Sequence, residues 1–247
     1  MSKKVALVLG SGGARGYAHI GVIDELQARG YEIGCIAGCS MGAVVGGIFA
    51  AGKLPEYREW TESLDYLDVL RLLDVSFHLG AIRGERVFGR IHDIVGEINI
   101  EELAIPFTAV ATDLWARREV WFNSGPIDPA IRASIAIPGV FPPIALNGRL
   151  LVDGGVSNQV PVSVLASSVA DLTVAVTLDG HAAVAQRGEG LPVHTSSDEE
   201  DAAVWTDRLR QSMGKLMEAE PMRSIAARMA ARPLRQRGES GDHSVAE

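Results

Sequence analysis

Apolar positions along the chain change their spacing in a way that orders its elements. Val5-Ala6-Leu7-Val8-Leu9 is an unbroken run with no alternation, as expected of a strand covered on both faces of a parallel sheet. A glycine-rich loop follows, and from Tyr17 to about Arg29 the residues Ile20, Ile23 and Leu26 recur at helical spacing before Gly30 supplies a stop. The order then repeats, with a strand over Ile33 to Ala37, a tight turn over Gly38 to Gly42, and a small-residue helix over Ala43 to Ala51 ended by Gly52. A βαβα order predicts a parallel sheet sandwiched by helices.

Residues 55–96 read as mainly helical, with Trp60, Leu64 and Leu67 on one face of the first part and Val87, Ile91 and Ile94 on one face of the last. Thr108 to Thr112 and Glu119 to Phe122 read as strands, the second alternating enough to sit near a sheet edge. After Pro138, Pro142 and Pro143 comes Leu150-Leu151-Val152, a brief strand that delivers Asp153 into a Gly-Gly turn, and Leu172 to Leu178 is the last strand.

Composition shifts near Asp179. An acidic run over Asp198 to Asp201 predicts a flexible connector, and a helix from about Ala203 carries Trp205, Leu209, Met213 and Leu216 as one stripe. The organisation expected is one α/β domain over 1–180, a flexible acidic connector over 181–202, an amphipathic helical appendage over 203–232 and a disordered tail over 233–247. For the stripe, packing against the domain is favoured over a lid or membrane-surface face, although Arg208, Arg210 and Lys215 accompany it.

At 247 residues, 47% hydrophobic and 22% charged, the chain can bury a real core. Its net charge of −8 works against a nucleic-acid partner, because such binding depends on Lys and Arg displacing counterions from phosphates. The first apolar run, though preceded by Lys3 and Lys4, is shorter than the roughly 7–15 residues of a signal-peptide core. No run approaches the ~18 apolar residues of a membrane span, so membrane contact is expected to be peripheral. Cys35 and Cys39 are too close around one predicted turn to make a structural staple. Both are expected to be buried free thiols, in a cytoplasmic protein.

Gly38-Cys39-Ser40-Met41-Gly42 is a G-x-S-x-G sequence between a predicted strand and a predicted helix, the context of a nucleophile elbow. A sharp turn there crowds the flanking positions, which must be glycine, and pushes the serine out. The hydroxyl needs a base within reach. None of His19, His78, His92, His181, His194 and His243 stands in a late strand-to-loop position, where the Ser, acid, His order of an α/β-hydrolase puts its histidine. His19, one turn into the first helix, is expected to pack or cap. Asp153 ends a short strand ahead of Gly154 and Gly155, at the end of the sheet where open α/β folds bind ligands. In a desolvated site it can accept a serine proton, although Asp-Gly-Gly by itself also reads as a plain turn.

Gly10-Ser11-Gly12-Gly13-Ala14-Arg15-Gly16 joins the first strand to a helix, and its bare amides could hold an anion. Arg15 takes the place of the third glycine of a dinucleotide fingerprint, and no P-loop lysine is present. The loop reads instead as an oxyanion hole in which the Gly12 and Gly13 amides face a tetrahedral intermediate.

Taken together, the Gly12–Gly16 loop, the Ser40 elbow, Ala133-Ser134-Ile135-Ala136-Ile137-Pro138 and Asp153-Gly154-Gly155 resemble, in order and spacing, the four blocks of patatin-like phospholipases. The likeness covers about residues 3–180 and looks nearest to a bacterial RssA-like branch. The resemblance implies a three-layer α/β/α fold with a mostly parallel central sheet, and hydrolysis of lipid acyl esters through an acyl-enzyme with neither metal nor other cofactor. It makes Ser40 the nucleophile and Asp153 the base, with Gly12, Gly13 and Ala14 as the amide donors. Arg15, Gly38, Gly42, Gly154, Gly155 and Pro138 support them. Ser11 departs from the third glycine of many members, a small change if its φ is negative. Members also continue past the amphipathic helix into a further strand and helix, so a chain turning polar after Arg235 is expected to lack that closing part. The competing readings are an esterase or thioesterase of soluble substrates, a non-catalytic regulatory protein that kept the fold and, more remotely, a nucleotide-binding module.

Overall fold

The computed structural model describes residues 2–64, 75–76, 81–82 and 84–178. The expected connector, helical appendage and tail lie outside the described residues, as does Leu67. Strand β1 (Lys4–Leu9) leads through a 3-10 turn at Gly13–Tyr17 into α1 (Ala18–Ala28), then β2 (Glu32–Cys39) and α2 (Met41–Ala50). Helix α3 (Leu54–Ser63) follows, then an antiparallel pair of two-residue strands, β3 (Val75–Ser76) and β4 (Ala81–Ile82), and α4 (Glu85–Val95). The chain continues through β5 (Phe107–Asp113), β6 (Arg118–Phe122), α5 (Ile127–Ser134), β7 (Ile144–Leu146), β8 (Arg149–Asp153) and β9 (Leu172–Val176).

Val5 through Leu9 have no exposed surface, which is what an unalternating apolar run predicts for a strand with neighbours on both sides. β1 is parallel to both β2 and β9, and β2 is parallel to β5. Steps from β1 to β2 to β5 run in one direction across the sheet, so right-handed crossovers place their helices on one face. There Val5, Leu7 and Leu9 pack with Ile20, Ile23, Val44 and Ile48 of α1 and α2. The opposite face, carrying Ala6, Val8 and Ala37, is covered among the described residues by the return from β8 to β9, a segment wound as a 3-10 turn at Val162–Leu165. The parallel core is flanked by antiparallel β6, β7 and β8, and among the described residues β6 is an edge strand that pairs with β5 alone.

Helix α2 is apolar all round and nearly all buried, as a central helix should be. Its glycines allow the close passage. A Cβ on Gly46 would lie 2.9 Å from Ile36, and one on Gly47 would lie 3.1–3.3 Å from Ile131, Phe107 and Ile127. The tract over 55–96, expected to be mainly helical, is helical in α3 and α4 among the described residues, with the short β3–β4 pair between them. α3 stops at Ser63 and Leu64 is extended (ψ 125°). There Thr61 and Ser63 donate their hydroxyls back to the Arg58 and Trp60 carbonyls, a local alternative to further helix. Val75 and Ile82 then pair as strands, whereas Ile91 and Ile94 are buried on the helical face expected of them.

The placement of the functional end follows from β5. β6 occupies one edge of β5 from Ala109 to Asp113. β2, paired with Phe107–Val110, and β8, paired with Ala111–Asp113, must therefore share its other edge. Cys39 pairs with Val110 and Asp153 with Ala111, so the last residues of two strands 114 positions apart in sequence become neighbours.

Candidate active site

Immediately beyond Cys39 the chain turns from β2 into α2, and Ser40 sits at the corner with φ 55° and ψ −125°. Only a glycine adopts that backbone conformation without strain. Side chains are excluded on either side. A Cβ on Gly38 would lie 2.5 Å from Gly42 O and Ala43 Cα, and one on Gly42 would lie 2.1 Å from Leu9 O. Gly42→Ala is accordingly expected to cost about 3 kcal/mol of stability by overpacking against backbone, read as a lower denaturant midpoint; an unchanged midpoint would mean that the corner can spread. Ser134 pins the corner to β5. Its Oγ accepts the Ser40 N–H at 3.0 Å and donates to Val110 O at 2.7 Å.

Asp153, at the end of β8, is 5% exposed. Its N–H donates to Ala136 O at 2.9 Å, so the Ala133–Pro138 segment holds the strand end, and Pro138 itself is buried. Oδ1 accepts the Gly155 N–H at 2.7 Å. Burial lifts the carboxyl to about 6, while the nearby Ser40 hydroxyl and the Gly155 amide pull the other way. Oδ2 has no hydrogen-bond partner among the described residues, so one buried acceptor of the carboxyl is left open beside the Ser40 corner. A Cβ on Gly154 would lie 2.3 Å from Val110 O, so the turn lies flat on the strand that aligns both motifs. Thr112 Oγ1 donates to Asp153 O at 3.0 Å and shares a 2.7 Å hydrogen bond with Ser157 Oγ.

The glycine loop closes over these two. Gly42 passes within close range of Gly10 O, Gly16 abuts Met41, and Gly155 faces Ser11, so the loop touches the elbow on one side and the Asp153 turn on the other. Gly10 and Ser11 donate to Val176 O (3.0 Å) and Gln159 O (2.9 Å). Arg15 N–H is taken by Gly12 O at 3.1 Å, while the amides of Gly12, Gly13 and Ala14 come before the first bond of this turn and have no acceptor within it. Gly13 is at φ 53°, and Gly13, Ala14 and Arg15 are exposed. Ser11 is absent from the positive-φ residues, so its departure from glycine is accommodated. With the start of α2 also directed at Ser40, the corner favours negative charge.

His19 is fully buried, with Nε2 2.8 Å from Gly10 O. Burial lowers its pKa, so it braces the loop as a neutral ring, as its position in the first helix suggested. Both cysteines are free, but only Cys39 is buried. Cys35 is partly exposed because the lower end of β2 is less covered, a correction to the expected pair of buried thiols. Burial, reinforced by Asp153 and Glu119, raises the Cys39 thiol pKa, which makes it an inert packing group. Among the described residues no helix is long and apolar enough to cross a membrane.

The chain is 50% identical over 228 residues to an uncharacterized NTE family protein of Mycobacterium tuberculosis, covering 92% of this chain and 61% of that protein. It is 33% identical over 169 residues to the neuropathy target esterase sws of Drosophila melanogaster, covering 65% of this chain and 12% of that protein. The chain thus spans less than two thirds of the length of these relatives. Among solved structures it is similar to VipD from Legionella pneumophila, with a TM-score of 0.49 at 18% identity over 64% of this chain and 46% of that one. The patatin-like phospholipase family model matches residues 7–166, a span that takes in the glycine loop, the Ser40 corner and the Asp153 turn, and the chain belongs to that family.

Proposed function

We propose that this protein is a lipid acyl ester hydrolase working through a Ser40–Asp153 dyad. The observation that carries the reading is the convergence of a serine in a strained strand-to-helix corner with a buried carboxyl whose pKa is raised to about 6. A base with that pKa is largely ionised at neutral pH, yet still basic enough to take a proton as the Ser40–carbonyl bond forms. Ser40 Oγ attacks the acyl carbon and its proton passes to Asp153 Oδ2. The carbonyl electrons move to an oxyanion facing the amides of Gly12, Gly13 and Ala14. Collapse expels the alcohol, which takes the proton back. Water then repeats the attack on the acyl-serine, with Asp153 again the base, and releases the acid. Nucleophile, base and amide donors in this sequence are residues of the chain. The ester-hydrolase names of the family and of the fly relative support a lipid acyl ester as substrate.

A fluorophosphonate probe tests serine, base and amides together, since Ser40 Oγ displaces its fluoride and leaves a tetrahedral phosphorus adduct. Labelling should fall on Ser40, and its rate should rise with pH through an apparent pKa near 6 as Asp153 loses its proton. Peptide mapping that finds another serine labelled, or none at neutral pH, would remove the dyad and favour a regulatory protein on the same fold.

A further inference from the structure

Three strands rise past the level at which β2 stops. β5, β6 and β8 continue from the Ala111–Asp153 pair to Asp113, two residues or roughly 7 Å further, at the end of the sheet where Ser40 lies. Two turns cap this extension side by side, tied by the Leu114 N–H to Leu150 O bond of 2.9 Å. One is the β5–β6 turn, Leu114-Trp115-Ala116-Arg117, and the other is the β7–β8 turn, Asn147-Gly148.

Both tips are ordered in advance. Asp113 Oδ1 accepts the N–H groups of Trp115 and Ala116, each at 3.0 Å, and Arg117 completes the turn at φ 52°. Asn147 and Gly148 both have positive φ, as a two-residue hairpin turn of matching twist requires. On this double tip Trp115 is 42% exposed, and Arg117, Arg118 and Arg149, on the same turns and the strand ends beside them, are exposed as well. Arg149 leans on buried Asp113 at 3.9 Å. Glu119, the next acidic group, is occupied by Trp121 Nε1 and Asn158. A chain of net charge −8 thus carries three exposed arginines on and beside the two tips that bear an exposed indole.

An indole with guanidinium groups on the same tips fits the polar boundary of a bilayer that bears negative head groups. We infer that the paired tips at Trp115 and Arg149 are a docking surface for an anionic lipid bilayer. The inference rests on the lipid-hydrolase reading of the site and names the physical form in which the substrate is met. The indole enters the interface, Arg117 and Arg118 meet lipid phosphates or carboxylates, and the end of the sheet that carries Ser40 is held toward the head groups.

The test is co-sedimentation of the full chain carrying Ser40→Ala, so that no lipid is consumed, with vesicles of phosphatidylcholine alone or mixed with phosphatidylserine. Binding should favour the mixed vesicles and weaken with salt. Arg117→Gln with Arg118→Gln should lower affinity for them about 25-fold, at roughly fivefold per arginine, and Trp115→Ala should weaken binding to both. In the Ser40-containing chain, neither change should alter thermal stability or turnover of a soluble monomeric ester. No binding by the parent, equal binding to both vesicle types, or full binding by the variants would each overturn the inference. Fluorophosphonate labelling without lipid reports separately on the dyad, so loss of one result leaves the other readable.

Discussion

Replacing Ser40 with glycine is expected to make the protein more stable and to abolish its ester hydrolysis. The serine is held at φ 55°, ψ −125°, a conformation that costs a residue with a Cβ about 1–3 kcal/mol and costs glycine little. Glycine loses more backbone entropy on folding, by up to about 1 kcal/mol, so the net gain should be about 1 kcal/mol. Ser40→Ala keeps the strained Cβ and should leave stability nearly unchanged. Either substitution removes the attacking oxygen, and turnover of a chromogenic acyl ester should fall on the order of 10⁴-fold or more. Paired denaturant and rate measurements on the two variants separate the effects, since only glycine should move the midpoint while both silence the reaction. A residual rate within roughly tenfold of the parent would exclude Ser40 as nucleophile.

What a single sequence revealed about this site, and what it withheld, divides along local and non-local structure. The corner at Ser40 was readable because a strand-to-helix turn imposes its demands within five residues, and Gly38 and Gly42 answer clashes with atoms of Leu9, Gly42 and Ala43. Strand β1 was readable because burial on both faces suppresses alternation. The pairing that makes the site, with β2 and β8 on one edge of β5, leaves no such mark. Leu150-Leu151-Val152 is too short for its pattern to say which way it runs, and its direction is set by the Asn147-Gly148 hairpin turn, a local Asn-Gly signal outside the strand itself. Ser134 was noticed only as part of a block of residues, because its role depends on Ser40 and Val110, which lie 94 and 24 positions away. Leu64 shows the converse limit: it is extended, beside Thr61 and Ser63 hydroxyls that bond back to the backbone, where apolar spacing alone would keep it helical.

Asp153→Asn should likewise silence turnover, by about 10³-fold or more since the amide cannot take the Ser40 proton, while stabilising the fold over a defined range of pH. The carboxyl ionises near 3.8 in a solvated chain and at about 6 in the folded protein. Below 3.8 it is protonated in both states and burial of its charge imposes no penalty. Between 3.8 and 6 the unfolded chain gives up the proton while the folded protein retains it, so folding stability falls as pH rises. Above 6 the full penalty, about 3 kcal/mol for such a difference, is present. Asparagine can keep the acceptor for the Gly155 N–H and carries no charge to bury. Unfolding midpoints should therefore be higher for the variant at pH 7.5, converge with the parent as pH falls through the interval, and coincide near pH 3.5. A gain of equal size at every pH would show that it comes from packing and not from relief of a buried carboxylate, and an intact rate would pass the role of base to another group.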